Sequence, residues 1–110
     1  MILIVDSKAT SESIVQMLEA LKDYVKVAVD IRRKILAGGG VMHADCEAKL
    51  LESGSSQRDI WGADWYPKDK TVGFESLINI RPRQNNRSME IKDTKIRMNV
   101  ERIIRKLLEI

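Results

Sequence analysis

From Val25 to Arg32 the chain alternates: Val25, Val27, Val29 and Ile31 are apolar and β-branched, with Lys26, Ala28, Asp30 and Arg32 between them. A period of two belongs to a half-buried strand. Helical spacing fits part of this stretch, but side chains branched at Cβ favour the pleated form. The apolar run resumes at Ile35-Leu36-Ala37 after Arg32-Arg33-Lys34, as the second arm of a hairpin does. A hairpin pairs its arms antiparallel, so the rest of the chain has to be built around an antiparallel sheet.

Further strands are expected at Ile2–Val5, Gln57–Tyr66, Thr71–Arg81 and Arg87–Ile91, the last three joined by turns at Pro67–Lys70 and Pro82–Asn86. In the stretch Thr71–Arg81, Val72, Phe74, Ile78 and Ile80 make one apolar face, interrupted by Ser76. Glu75, Leu77, Asn79 and Arg81 point to the other. Three consecutive glycines, Gly38 to Gly40, stabilise neither helix nor strand, and predict a loop or a strand ending in unusual backbone angles.

Three helices complete the expectation. Ile14, Val15, Leu18, Leu21 and Val25 recur at spacings of three and four after a cap at Thr10 or Ser11. A short helix runs from about Ala44 to Glu52 and ends at Gly54. The clearest stripe is Ile96, Val100, Ile103, Ile104 and Leu107, behind the N-cap Asp93. The fold expected is α+β: a mainly antiparallel sheet, N-terminal and C-terminal helices packed on one face, and a short central helix. With no repeat, low-complexity tract or linker in 110 residues, it is one domain over residues 1–110.

Composition narrows the function classes. At 44% hydrophobic and 32% charged, the chain can pack a core, and no apolar run approaches the ~20 residues of a spanning helix. Met1-Ile2-Leu3-Ile4-Val5-Asp6 lacks the basic and longer apolar segments of a secretory signal, and Cys46 is the only cysteine. A cytoplasmic location is expected. Charge is uneven, with nine Lys/Arg against four acids from Arg81 onward. That end can face an anion, including nucleic acid through Lys95, Arg102 and Lys106, although no zinc finger, helix-turn-helix or aromatic RNA-binding motif is present.

The least generic stretch is Gly38 to Asp64. On a helix, His43, Cys46 and Glu47 share a face, which is a geometry for a metal, while Asp45 points away. One short helix without a second ligand cluster is a weak set, so no metal and no cofactor is expected; capping and surface hydrogen bonding are the plainer reading. Cys46 in a first helical turn with His43 as base is a thiol-nucleophile pattern, opposed by Asp45 and Glu47. Glu47 and Asp59 supply a carboxylate pair for acid/base work. Gly39 and Gly40 ahead of a helix resemble a phosphate-cradling loop without the P-loop ending. Asn79 and Arg81 can join Arg87 across a hairpin to hold a carboxylate or phosphate, or these arginines can form ion pairs with Glu75 and Glu90. Trp61 and Trp65 share a strand face and suit a core, a stacking platform or a homodimer interface, and exposed strands offer a second route to a homodimer.

Several strings together, Gly39-Gly40-Val41-Met42-His43-Ala44-Asp45-Cys46-Glu47, Gln57-Arg58-Asp59-Ile60-Trp61-Gly62 and Ile78-Asn79-Ile80-Arg81-Pro82, resemble a family of short bacterial proteins of unknown function. The resemblance covers nearly the whole chain and implies one domain. It carries over no activity and no catalytic residue, and Val41 stands where similar sequences have Glu. The leading expectation is a small binding domain for an anionic ligand or macromolecular partner, at Asn79, Arg81, Arg87 and the Gly38–Asp45 loop. The alternatives are a hydrolytic or metal-assisted enzyme using His43, Cys46, Glu47 and Asp59, and nucleic-acid binding through the basic C-terminal third.

Overall fold

The structure, a computed structural model, describes residues 1–110. Five strands, β1 (Leu3–Val5), β2 (Val25–Asp30), β3 (Ile35–Gly40), β4 (Ile60–Tyr66) and β5 (Thr71–Gly73), form one sheet in the order β1-β3-β2-β4-β5. Every pairing is antiparallel. The β2–β3 hairpin is where the alternation put it. Its turn is held by Asp30, whose Oδ1 accepts the backbone N–H groups of Arg32 and Arg33 at 2.9 Å each.

Alternation along β2 and β4 gives each face its own core. Val25, Val27, Val29, Trp61, Ala63 and Trp65 point to one side, where α1 (Ser11–Met17) and α3 (Thr94–Leu108) cover them with Ile14, Met17, Val100, Ile104 and Leu108. On the other side Ala28, Ala37 and Ile60 pack beneath α2 (His43–Glu52) through Cys46 and Leu50. The terminal helices therefore share one face and the central helix takes the other. Both tryptophans are 1% exposed within this core, which closes the route to a homodimer or a stacked ligand through them. The outer edges of β1 and β5 stay unpaired.

The glycine run continues β3 as a bulge. Lys26 pairs with Gly40 but Val27 with Gly38, so Gly39, at φ 106°, is the extra residue. A Cβ on Gly39 would collide with the Met1 carbonyl, so only glycine fits there. The run is buried strand, with no open cradle for a phosphate.

Elsewhere the periodicity ran ahead of the backbone. Helix α1 ends at Met17, with Val15 exposed and the chain turning at Lys22 (φ 68°) toward β2. Gln57–Asp59 is a 3-10 turn ahead of β4. The strand expected over Thr71–Arg81 stops at Gly73. Ser76 then caps a 3-10 turn over Leu77–Asn79, its hydroxyl accepting the Ile78 N–H. Of the strand expected over Arg87–Ile91 there remains an isolated bridge between Glu75 and Glu90. No helix is long and apolar enough to cross a membrane.

Candidate functional site

Beyond the end of β5 the edge of β4 has no strand beside it, and the residues after Ser76 fill that place with side chains. Fully buried Asn79 acts as a surrogate strand residue: its Oδ1 accepts the Gly62 N–H at 2.8 Å and its Nδ2 donates to the Gly62 carbonyl at 3.0 Å. The same amide reaches the carbonyls of Phe74 and Met89 at 3.3 and 3.1 Å. Arg81 extends the pattern. It donates through Nε to the Ile78 carbonyl at 2.9 Å, through Nη1 to the Gln57 carbonyl at 2.7 Å, and through Nη2 to the Ile60 carbonyl. Its guanidinium carbon lies 4.7 Å from the centroid of the Trp61 ring, and Glu47 stands 3.5 Å from Nη2. Burial lowers the Arg81 pKa from its ordinary value, and Glu47 opposes that shift. Asn86 completes the network, donating to the carbonyls of Asn79, Ser88 and Glu90.

The three sequence strings thus converge, but largely upon one another. Asn79 and Arg81 have their donors taken by backbone, which leaves little with which to hold a ligand. Arg87 is exposed and its side chain makes no hydrogen bond or ion pair, and Glu90 pairs instead with Arg97 at 2.8 Å. The helical face of His43, Cys46 and Glu47 fans out. Cys46 is buried with its Sγ 3.5 Å from the Lys26 carbonyl, and burial pushes its thiol above the ordinary range, so it is a poor nucleophile. Glu47 turns to Arg81, Asp45 is exposed, and half-buried Asp59 makes no side-chain hydrogen bond. No group of three or more His, Cys, Asp or Glu side chains is placed to hold a metal.

His43, the first residue of α2, has a partner that the sequence did not single out. Its Nε2 lies 2.9 Å from Asp64 Oδ1 and 3.0 Å from the Ala63 carbonyl. Trp61, Ala63 and Trp65 take one face of β4, so Asp64 must take the face that α2 covers, and that much was readable from the alternation. The pair lines a groove of about 360 Å³ with Lys26, Glu75 and the exposed side chains of Met42, Leu77 and Met89.

A second groove, of about 400 Å³, lies across the sheet, where α3 meets the loop after β1 and the β2–β3 turn. Lys8, Lys34, Arg102 and Lys106 line it, Asp6 is the one acid, and Ile31, Ile103 and Leu107 supply its apolar surface. None of these four cations has a carboxylate within ion-pair distance, whereas Arg97 and Arg105 elsewhere on α3 each contact glutamate at 2.8 Å. Arg102 Nη1 donates to Asn99 at 3.2 Å, and Lys8 reaches the Glu109 carbonyl.

Residues 3–107 match the family model described as a protein of unknown function, DUF5674. The chain belongs to the DUF5674 family. Comparison with curated proteins and with solved structures finds no match. For this DUF5674 chain the resemblance to a family of unknown function read from the sequence is therefore correct, and Asn79 and Arg81 of one string lock onto Gln57, Ile60 and Gly62 of another. Sequence reasoning found Arg102 and Lys106 through the basic C-terminal third but missed Lys8 and Lys34. Those two are far from α3 in sequence, and only the order β1-β3-β2 brings their loops to it.

Proposed function

We propose that this domain binds a small organic anion, a phosphate or carboxylate carried on an apolar body, in the groove between α3 and the β2–β3 turn. The observation that carries this reading is the gathering of Lys8, Lys34, Arg102 and Lys106 around one concavity without carboxylate partners. Four cations brought together repel one another, and an anion relieves that repulsion. Ile31, Ile103 and Leu107 favour a ligand with an apolar portion over a bare ion. The groove is small and local, which suits one ligand better than a polymer track. The anion-binding role expected from the sequence is kept, and its place moves from Asn79 and Arg81 to this face.

Calorimetric titration with phenyl phosphate and inorganic phosphate tests it. Phenyl phosphate should bind more tightly, and Arg102→Glu or Lys106→Glu should weaken it by about tenfold or more, the scale of a lost charge-assisted hydrogen bond. Lys49→Glu, on the far face, should leave binding unchanged. Absence of binding, or variants that bind as well as wild type, overturns the reading. A duplex oligonucleotide that binds more tightly than phenyl phosphate, with affinity falling steeply in salt, would assign the face to nucleic acid instead.

A further inference from the structure

We infer that His43 and Asp64 form a general-base pair that hydrolyses a neutral acyl ester in the groove beside α2. Both neighbours of His43 Nε2, the Ala63 carbonyl and the Asp64 carboxylate, are acceptors. A ring nitrogen between two acceptors must carry the proton, so the neutral ring is the Nε2–H tautomer and its lone pair sits on Nδ1. Nδ1 has no partner in the protein and is not fully buried, and it belongs to a side chain that lines the groove. Asp64 fixes the ring's orientation and compensates the positive charge that appears when Nδ1 takes a proton, which is the role of the carboxylate in a catalytic dyad.

The lining selects the substrate class. Asp64 and Glu75 face one cation, Lys26, so a phosphate dianion is disfavoured there, in contrast to the basic groove across the sheet. Exposed Met42, Leu77 and Met89 offer an apolar, adaptable wall to an acyl chain. In the reaction, Nδ1 removes a proton from water as the water oxygen bonds to the acyl carbon, and the carbonyl π pair moves to oxygen. Lys26 is the cation on the groove wall available to that oxyanion. Collapse re-forms the carbonyl and breaks the bond to the alkoxide, which takes the proton back from Nδ1. One ester and one water become one acid and one alcohol, and His43 is returned unchanged.

The test is hydrolysis of p-nitrophenyl butyrate by the full chain, with equimolar 4-methylimidazole as reference. Saturable turnover well above the reference is expected, with kcat/KM falling about 100-fold or more in His43→Gln, the usual scale for a lost general base. Asp64 is a positioning residue, so Asp64→Asn should lower kcat by roughly tenfold or more with KM little changed. Nitrogen-15 NMR of the wild-type chain, which needs no variant to fold, should place the His43 proton on Nε2. A proton on Nδ1, turnover no greater than the reference, or a rate indifferent to His43→Gln overturns the inference.

Discussion

Asn79→Ala separates a ligand-binding asparagine from a structural one. The side-chain amide makes four contacts with backbone, to both polar groups of Gly62, where they are fully buried, and to the carbonyls of Phe74 and Met89. Alanine leaves the Gly62 N–H and carbonyl without partners, while the carbonyls of Phe74 and Met89 keep the backbone N–H groups of Ile91 and Ser76. An orphaned buried group costs about 1–3 kcal/mol, and a carbonyl that relaxes or admits water less, so the two together cost on the order of 2–4 kcal/mol. A domain of this size has only about 5–15 kcal/mol in all. Urea denaturation followed by tryptophan fluorescence is a suitable assay, because Trp61 adjoins Gly62. With a slope of about 1–3 kcal/mol per molar, the midpoint should fall by a molar or more. Asn79→Asp sharpens the test: it keeps the acceptor for the Gly62 N–H but turns a carboxylate oxygen toward three carbonyls, so it should destabilise at least as much as alanine. If either variant unfolds within about 1 kcal/mol of wild type, the surrogate-strand account is refuted and Asn79 is free to serve a ligand.

Gly62→Ala should cost about 2–4 kcal/mol, since its Cβ would lie 2.6 Å from Ser76 Cβ, and Ser76→Gly in the same chain should recover part of that loss in a double-mutant cycle on urea midpoints. Arg81→Lys should destabilise by roughly 2–4 kcal/mol, because one ammonium cannot span the carbonyls of Gln57, Ile60 and Ile78. Exposed Arg87→Ala should stay within about 0.5 kcal/mol in the same assay. Burial holds the Cys46 pKa above that of the unfolded thiol, so its contribution is intact below about pH 8.5 and is lost as pH rises through the folded value. Wild-type stability should therefore fall more steeply above pH 8.5 than that of Cys46→Ala, by up to about 1.4 kcal/mol per pH unit, and Cys46 alkylation at pH 7 should be slow until the protein is denatured.

These outcomes bear on why some elements were legible in the sequence and others were not. Helix α3 and strands β2 and β4 are regular, and each sets one apolar stripe or face against the core beneath the terminal helices, so period alone located them. The segment after β5 is also apolar at alternate positions, yet it folds as turns. Ser76 and Asn79 offer their own polar groups to the backbone, and that local alternative prevails over continued strand pairing. Alternation reports which side chains are buried; it does not report whether the neighbour across the edge is a strand or an amide. The same blindness explains the site. Asn79 and Arg81 are the polar residues a binding surface would display, and they are also what a sheet edge needs when its last strand is three residues long. Only partner assignment distinguishes the two, and it moves the candidate site to two other grooves. One presents four cations against a single acid, the other a histidine whose second nitrogen has no partner. If both proposals hold, the sheet separates an anion site from a hydrolytic one. A ligand that joined them would have to act through β2, whose side chains alternate between the two cores.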